Sequence, residues 1–440
     1  MPHIAQSRPH SWVLKTLILC FVAIIALLPF HAFLSTWGGT EVGPLLVWKS
    51  WKEILLTALL PLIIFFLVQR PDIAKTLIKS RLVQLIALYF GANIVAAVFS
   101  QASYEAVVAG LMMNLRFFAV CILGYILYLS GHPWVERIKS KLPGWFFGVT
   151  IVISVLAILQ VTVMPVDFLT YFGYGKDTIP AFLTLDDNPN ALRAYATLRG
   201  PNPFGSFLLL PFALALITVF RERRNMLAGA ALGLSGFALV LTSSRSAWLG
   251  AVVALAVLAV ALVPRQKLIK IIKLWTVPAL ALVALFFWMA ATFAPLRLAV
   301  FHSSPSDPHL LEGSSQIHLD EIVRGIQDVN ASPAMLGYGV GTAGPASFYN
   351  QNANPKIAES YFIQIAQEMG WVVLALFMAI SAIVASKLWK QRPAAIPVAL
   401  FASFIGINAI NIFLHGWADD PTSMTWWAVA GLYLWSDNKA

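Results

Sequence analysis

Three arginines stand in strongly apolar stretches of the sequence, where a positive charge needs a physical reason. Arg245 lies in "LTSSRSAWLG", Arg199 lies in "LRGPNPFG", and Arg116 lies in "MMNLRFFAV". A charge within a membrane span costs roughly 2.5–3.5 kcal/mol even on a lenient insertion scale. Each arginine is therefore expected to face a partner or a polar cavity, and the plainer alternatives are a structural ion pair or snorkelling to lipid phosphate.

The scarcity of nearby carboxylates favours an anionic ligand for these arginines. The predicted fourth span has no acidic residue after Glu105, and residues 203–294 contain a single one, at the cytoplasmic end. We therefore expect surplus positive charge around the three arginines. Guanidinium groups bind phosphate through two parallel hydrogen bonds, and Ser244, at the start of the next predicted helix, would add donors.

The composition indicates an integral membrane protein. The 440 residues are 59% apolar and only 11% charged, with a mean hydropathy of +0.76, whereas soluble domains carry roughly 25% charged residues. The apolar runs are continuous rather than alternating, so they predict helices and not barrel strands. We predict an all-α fold and a single membrane domain over residues 1–440. The about twelve expected transmembrane helices are 13–34 (retained, not a cleaved signal), 53–69, 82–99, 106–130, 144–163, 203–220, 226–241, 246–263, 272–294, 361–385, 394–413 and 424–436.

The basic residues predict the orientation of these helices. Twenty of the thirty lysines and arginines fall in alternate loops or at the termini, which the positive-inside rule places in the cytoplasm. This alternation explains the net charge of +10 without nucleic acid as a partner. The two cysteines, Cys20 and Cys121, lack metal-type spacing and are interpreted as packing residues.

Two long loops fall on the opposite, outer side, at 164–202 and 295–360. The second contains "SSQIHLDEIVRGIQDV" (314–329), whose apolar spacing predicts an amphipathic helix. Both loops contain tyrosines, asparagines and aspartates, which suit sugar binding, although aromatic belts at membrane interfaces have a similar composition. A lipid diphosphate that carries a sugar fits this layout, with its tail in the bilayer, its phosphates on arginine and its sugar at the outer loops.

Several stretches together resemble the O-antigen ligase and polymerase superfamily, membrane glycosyltransferases of the C-type (GT-C) fold group. They are "RGPNPFGSFLLL" (199–210), "TSSRSAWLG" (242–250), and "LGYGVGTAGPASFYN" (336–350) with the following "ESYFIQIAQEMGW" (359–371). The likeness covers about residues 190–375 and the overall topology.

This resemblance implies transfer of a glycan from undecaprenyl diphosphate to an acceptor hydroxyl, at the periplasmic face of the bacterial inner membrane, without metal or cofactor. The acceptor is a lipid A-core sugar for a ligase and a second lipid-linked repeat unit for a polymerase. Arg199 and Arg245 match the family's diphosphate-facing arginines. The full predicted set comprises diphosphate contacts at Arg199, Arg245, Arg116 and Arg193, and glycan or loop contacts at Asn202, Ser244, Tyr338, Gly339 and Gly341.

One position departs from the family pattern. In many ligases, the helix after the glycine-rich stretch begins with histidine; here that stretch is residues 336–350, called the glycine segment below. This sequence has Glu359 at the histidine position, in "AESYF". The difference favours polymerase activity as the alternative. We expect Glu359 to be the first candidate for the general base, then His318 and His302, with His309 and His415 as further candidates.

Two further features bear on other classes of function. "GYGVG" resembles a nucleotide fingerprint, but no strand precedes it and it lies on the outer side, so a close backbone approach to substrate is the preferred interpretation. A twelve-helix transporter is a further alternative, although the sequence shows no evident internal repeat.

Overall fold

The computed structural model describes residues 11–185, 188–293 and 310–435, which are mostly helical. The apolar runs fold as helices because a helix satisfies its backbone hydrogen bonds within one segment, without water. The α-helices within the described residues are α1 Ser11–Leu27, α2 His31–Glu41, α3 Leu45–Lys49, α4 Trp51–Gln69, α5 Pro71–Lys79, α6 Arg81–Val98, α7 Tyr104–Ser130, α8 Pro133–Thr162, α9 Pro201–Arg221, α10 Met226–Leu241, α11 Arg245–Leu262, α12 Arg265–Thr292, α13 Leu310–Ala331, α14 Tyr361–Lys390, α15 Ala395–Ile410 and α16 Asp420–Tyr433.

Short elements connect these helices. Strands β1 (Thr184–Leu185) and β2 (Asn188–Leu192) form a small antiparallel hairpin within the first long loop, in register Thr184 with Leu192. The all-α prediction did not include this hairpin. Short 3-10 helices lie at Leu28–Phe30, Phe168–Phe172, Pro333–Met335, Gly344–Tyr349 and Gly416–Ala418.

The twelve predicted spans all overlap helices. Within the described residues, eight helices are long and apolar enough to cross a membrane, and two further apolar helices are shorter. Met226–Leu241 and Ala395–Ile410 are the two shorter ones, and the total of twelve crossings stays a prediction. The eight long candidates are Trp12–Glu41, Trp51–Gln69, Arg81–Val98, Tyr104–Ser130, Pro133–Thr162, Pro201–Arg221, Arg245–Leu262 and Tyr361–Lys390.

Helix α16 lies at the centre of the bundle and packs closely on α7. Gly124 on α7 faces Gly431 and the carbonyl of Ala428 on α16, and a Cβ built on Gly124 would come 2.9 Å from that carbonyl oxygen. Small residues let helix backbones approach where no water drives association. Trp426 and Trp427 in the middle of α16 are fully buried, so this helix is firmly packed within the bundle.

Helix α11 packs on α15 in the same way. A Cβ on Gly250 would lie 3.0 Å from the carbonyl oxygen of Gly406, and one on Gly406 would lie 2.6 Å from that of Gly250. The start of α9 joins this group, because Gly205 faces Ala247 on α11. These contacts bring the N-termini of α9 and α11 together.

Helix α14 breaks at Gly370, whose φ of +80° is in the left-handed region. A Cβ there would meet the chain at Met335 and Leu336, so the loop before the glycine segment crosses α14 at this break. Helix α13 packs on the same part of α14, where Gly325 faces Ile363 and Val329 is fully buried. The predicted helix at 314–329 is therefore present within α13.

Candidate active site

The side chain of Arg193 joins three segments at one end of the bundle. Its Nε donates to the carbonyl of Thr242 at 2.9 Å, and its Nη2 donates to Asn202 Oδ1 at 3.0 Å and to the carbonyl of Ser243 at 3.4 Å. The guanidinium thereby fastens the chain after β2 to the start of α9 and to the turn before α11. Arg193 and Asn202, which were predicted to contact substrate, are used at least in part to hold the protein's own backbone.

The turn before α11 presents Arg245 as the first residue of that helix. Ser244 is buried, and its Oγ accepts the N–H of Ala247 at 3.4 Å as the N-cap. Ser244 therefore caps the helix, whereas the sequence had suggested a glycan contact. Arg245 is half-buried at the positive end of the helix dipole, where an anion would be stabilised.

Arg199 meets a carboxylate that lies 220 residues further along the chain. Its Nε is 3.1 Å from Asp419 Oδ1, and the side chain of Arg199 is 47% exposed whereas that of Asp419 is 2% exposed. Asp419 Oδ2 also caps α16 through the N–H of Thr422. Across the described residues, the two terminal Nη nitrogens of Arg199 donate no hydrogen bond. The buried aspartate thus fixes one edge of the guanidinium and leaves the other edge available.

His415 and Glu359 lie beside this arginine. The start of α14 is tied to the loop after α15, because the N–H of Tyr361 donates to the carbonyl of Leu414 at 3.1 Å. Burial lowers the pKa of His415 from its ordinary 6.5 to about 4; the Glu359 carboxylate opposes this and Arg199 adds to it. Within the described residues, His415 Nε2 is buried without a hydrogen-bond partner. The site therefore contains a neutral imidazole and a carboxylate close to a guanidinium.

Three non-glycine residues near these arginines have left-handed backbone conformations. Ala196 has φ +51°, Ser243 has φ +47° and Glu359 has φ +50°. Such conformations cost on the order of 1–3 kcal/mol and concentrate where the chain must present particular groups. They precede Arg199, Arg245 and the start of α14, which supports a functional role for this end of the bundle.

The prediction that Arg116 lacks a carboxylate partner is wrong. Its Nη1 lies 2.7 Å from Glu53 Oε1, its Nη2 also contacts Asp420, and it donates to the carbonyl of Ala418 at 2.8 Å. The side chain is only 7% exposed. Both carboxylates come from other parts of the chain, which local counting could not include. We therefore assign Arg116 to an internal ion-pair network and not to the diphosphate.

Lys52 and His31 extend this network, and the sequence did not single them out. Lys52 Nζ lies 2.7 Å from Asp420 Oδ2 and 3.1 Å from Glu53 Oε2. His31 Nε2 lies 3.0 Å from Asp420 Oδ2. Two cations and two carboxylates balance in the bundle interior. The adjacent Lys-Glu pair in "SWKEILL", at the edge of an apolar run, was the signal that could have revealed it.

The glycine segment packs against protein and not around an open site. Gly339 has φ +98° and faces Ser100, and Gly341 has φ +86° and faces the carbonyl of Ala106 on α7. The N–H of Gly341 donates to Glu368 Oε1 at 2.8 Å, and the ring of Tyr338 lies under Lys356 Nζ at 4.7 Å. The close approach that these glycines allow is to Ser100 in the loop between α6 and α7 and to the start of α7, where the sequence had led us to expect an approach to substrate.

A second buried polar network lies behind the glycine segment. Asn114 Nδ2 donates to Glu368 Oε2 at 2.9 Å and lies 3.1 Å from Asn93 Oδ1. Glu368 is completely buried. This glutamate is the residue in the quoted "QEMG" that precedes the break at Gly370, so it ties α7, α14 and the glycine segment together.

The structure describes only some of the histidines that were predicted as candidate bases. His318 lies within α13, and His302 and His309 lie outside the described residues. The described residues contain no cluster of three or more His, Cys, Asp or Glu side chains that could hold a metal ion.

Comparison with known proteins supports the sequence resemblance. Residues 228–378, about a third of the chain, match the family model described as O-Antigen ligase, and the similarity to the O-antigen ligase superfamily is confirmed over this region. The match contains Arg245, the glycine segment and Glu359. No curated protein matches the chain significantly.

Proposed function

We propose that the chain is an O-antigen ligase, because a third of it matches that family and its candidate site offers an available guanidinium. In this proposal it transfers an O-antigen glycan from undecaprenyl diphosphate to a hydroxyl of a lipid A-core sugar. The reaction takes place at the periplasmic face of the inner membrane, with both termini in the cytoplasm. The wider assignment to a membrane glycosyltransferase-like enzyme follows from the family match.

The observation that carries the proposal is the geometry of Arg199. Its Nε is held by the buried Asp419 at 3.1 Å, and about half of its side chain is exposed. Asp419 holds this guanidinium in one orientation, and its other edge is available. Such an arginine can bind a phosphate through two hydrogen bonds and loses little side-chain conformational entropy when it does so. Arg245, at the start of α11, supplies the second cation of the site.

The expected reaction is a direct displacement at the anomeric carbon of the donor. The acceptor hydroxyl forms the new glycosidic bond, the bond from carbon to the diphosphate oxygen breaks, and the hydroxyl proton passes to a base. Glu359 is the proposed base, and His415 is the neighbouring alternative. Arg199 and Arg245 stabilise the charge that develops on the leaving diphosphate, which is usually the largest electrostatic contribution. Direct displacement inverts the anomeric centre, and no metal ion is required in this proposal.

The proposal is tested by expressing variants in a strain that lacks the protein and examining lipopolysaccharide on gels. Arg199→Lys keeps a cation beside Asp419 but loses the planar guanidinium, which can donate two parallel hydrogen bonds to one phosphate. We expect the rate of glycan transfer to fall roughly 10²–10³-fold. Arg70→Ala is the matched control, because it removes an exposed arginine that pairs with Asp72 on α5. Full transfer by a normally expressed Arg199→Lys protein would refute the proposed role.

The same gel separates the alternative activities. Glu359 at the family's histidine position favours a polymerase as the second candidate. Loss of all long chains with an intact core indicates a ligase, whereas a core with one repeat attached indicates a polymerase. A transporter would give no covalent product when the purified protein is incubated with donor and acceptor in detergent.

A further inference from the structure

An apolar groove runs between α1 and α8, away from the candidate site. The cavity measures about 370 Å³, within the range of roughly 300–1,000 Å³ that is usual for small-molecule sites. Its walls include Leu19 and Val22 on α1 and Trp134 and Trp145 on α8. Leu19 is 59% exposed and Val22 is 37% exposed, so the groove opens to the surface and is shaped for a hydrocarbon chain.

Cations lie along one wall of this groove. Arg137 and Lys141 line it from α8, four residues apart and hence on one face of that helix. Within the described residues neither has a carboxylate partner, since the adjacent Glu136 pairs with Lys139 at 3.2 Å. Lys15 Nζ lies 5.7 Å from the ring of Trp134 at the same end. An apolar groove with cations that lack a carboxylate partner in the described residues fits a lipid with a negatively charged headgroup.

The groove and the candidate site are at opposite ends of α8. At the C-terminal end of this helix, Gln160 Oε1 accepts the N–H groups of Tyr195 and Ala196 at 3.1 and 2.9 Å, just before Arg199. From Arg137 to Gln160 the helix rises about 35 Å at ~1.5 Å per residue, which is close to the thickness of a bilayer. A lipid in the groove therefore lies in the leaflet opposite the proposed donor diphosphate.

We propose that this groove is a binding site for an anionic glycerophospholipid of the cytoplasmic leaflet. One acyl chain lies between α1 and α8, and the phosphate is held by Arg137 and Lys141. The lipid fills a gap between the first helix and the helix whose far end supports Arg199, so it stabilises the bundle. This site does not depend on the proposed glycosyl transfer.

The test is native mass spectrometry of the purified, delipidated protein titrated with phosphatidylglycerol and with phosphatidylcholine of the same acyl chains. We expect the wild-type protein to prefer phosphatidylglycerol. The double variant Arg137→Gln/Lys141→Gln should bind it on the order of 30-fold more weakly, from about 1 kcal/mol per cation. The matched control Arg223→Gln/Arg224→Gln removes the same charge from an exposed loop and should bind as the wild type does.

A second variant tests the apolar half of the site. Val22→Trp fills the groove at a partly exposed position and should reduce binding of phosphatidylglycerol while the headgroup contacts stay intact. Equal affinity for the two lipids, or unchanged binding by the double variant, would overturn the proposal. So would binding that appears only after removal of residues 1–10, because the chain's own N-terminal segment would then be the occupant.

Discussion

Arg116 is buried against Glu53 and Asp420, whereas Arg199 pairs with one carboxylate among the described residues, Asp419, and keeps about half of its side chain exposed. Both arginines lie in apolar sequence without a nearby acid. Two consecutive aspartates pair with different arginines: Asp419 pairs with Arg199, and Asp420 pairs with Arg116. The comparison teaches that the availability of an arginine in an apolar stretch depends on partners that are distant in sequence, and not on its sequence neighbours.

The largest expected effect comes from breaking the Arg116 network. Arg116→Met leaves Glu53 and Asp420 without this cation in the bundle interior, and loss of one member of a buried pair costs about 3–5 kcal/mol. We expect little folded protein and a strongly lowered melting temperature in detergent. Arg70→Ala, which removes a surface partner of Asp72, should change stability by at most about 1 kcal/mol. If the Arg116→Met protein melted like the wild type but no longer bound the lipid diphosphate donor, Arg116 would have to be a substrate-binding residue.

The glycine segment gives the next effect. Gly341→Ala places a methyl group against the Ala106 carbonyl at a φ of +86°, and we expect a loss of about 1–3 kcal/mol. Gly148→Ala is the matched control, because that helical glycine has open space around its Cβ position and alanine favours helix. Thermal unfolding of both variants measures the difference. A stable Gly341→Ala protein with weakened donor binding would contradict the assignment of this segment to packing.

A smaller effect concerns the acid sensitivity of the site. The unfolded chain protonates His415 near its ordinary pKa of 6.5, whereas the folded chain does so only near pKa 4. Between these values the unfolded state binds more protons, so the free energy of unfolding falls as the pH falls. His415→Asn should flatten this dependence between about pH 6.5 and 4, as measured by melting temperature in a buffer series. An identical slope in the two proteins would show that His415 is not held neutral by burial, despite Glu359 and Arg199 beside it.

The sequence predicted the helices well because apolar runs have a direct physical meaning in a membrane protein. It also predicted Arg199 and Arg245 as candidate site residues. It could not predict that Arg116 pairs with Asp420, because the two residues are brought together only by the packing of α7 on α16. The packing role of the glycine segment was missed for a related reason: glycines indicate a close backbone approach, but the sequence does not say which atoms approach.

The most direct test of the account is the affinity of purified protein for undecaprenyl diphosphate, compared between Arg199→Lys and Arg116→Lys. Both variants keep a positive charge, and both lose the planar fork of arginine. The account predicts weaker binding for Arg199→Lys and wild-type binding for any Arg116→Lys protein that folds. Weaker binding by folded Arg116→Lys, with wild-type binding by Arg199→Lys, would contradict it.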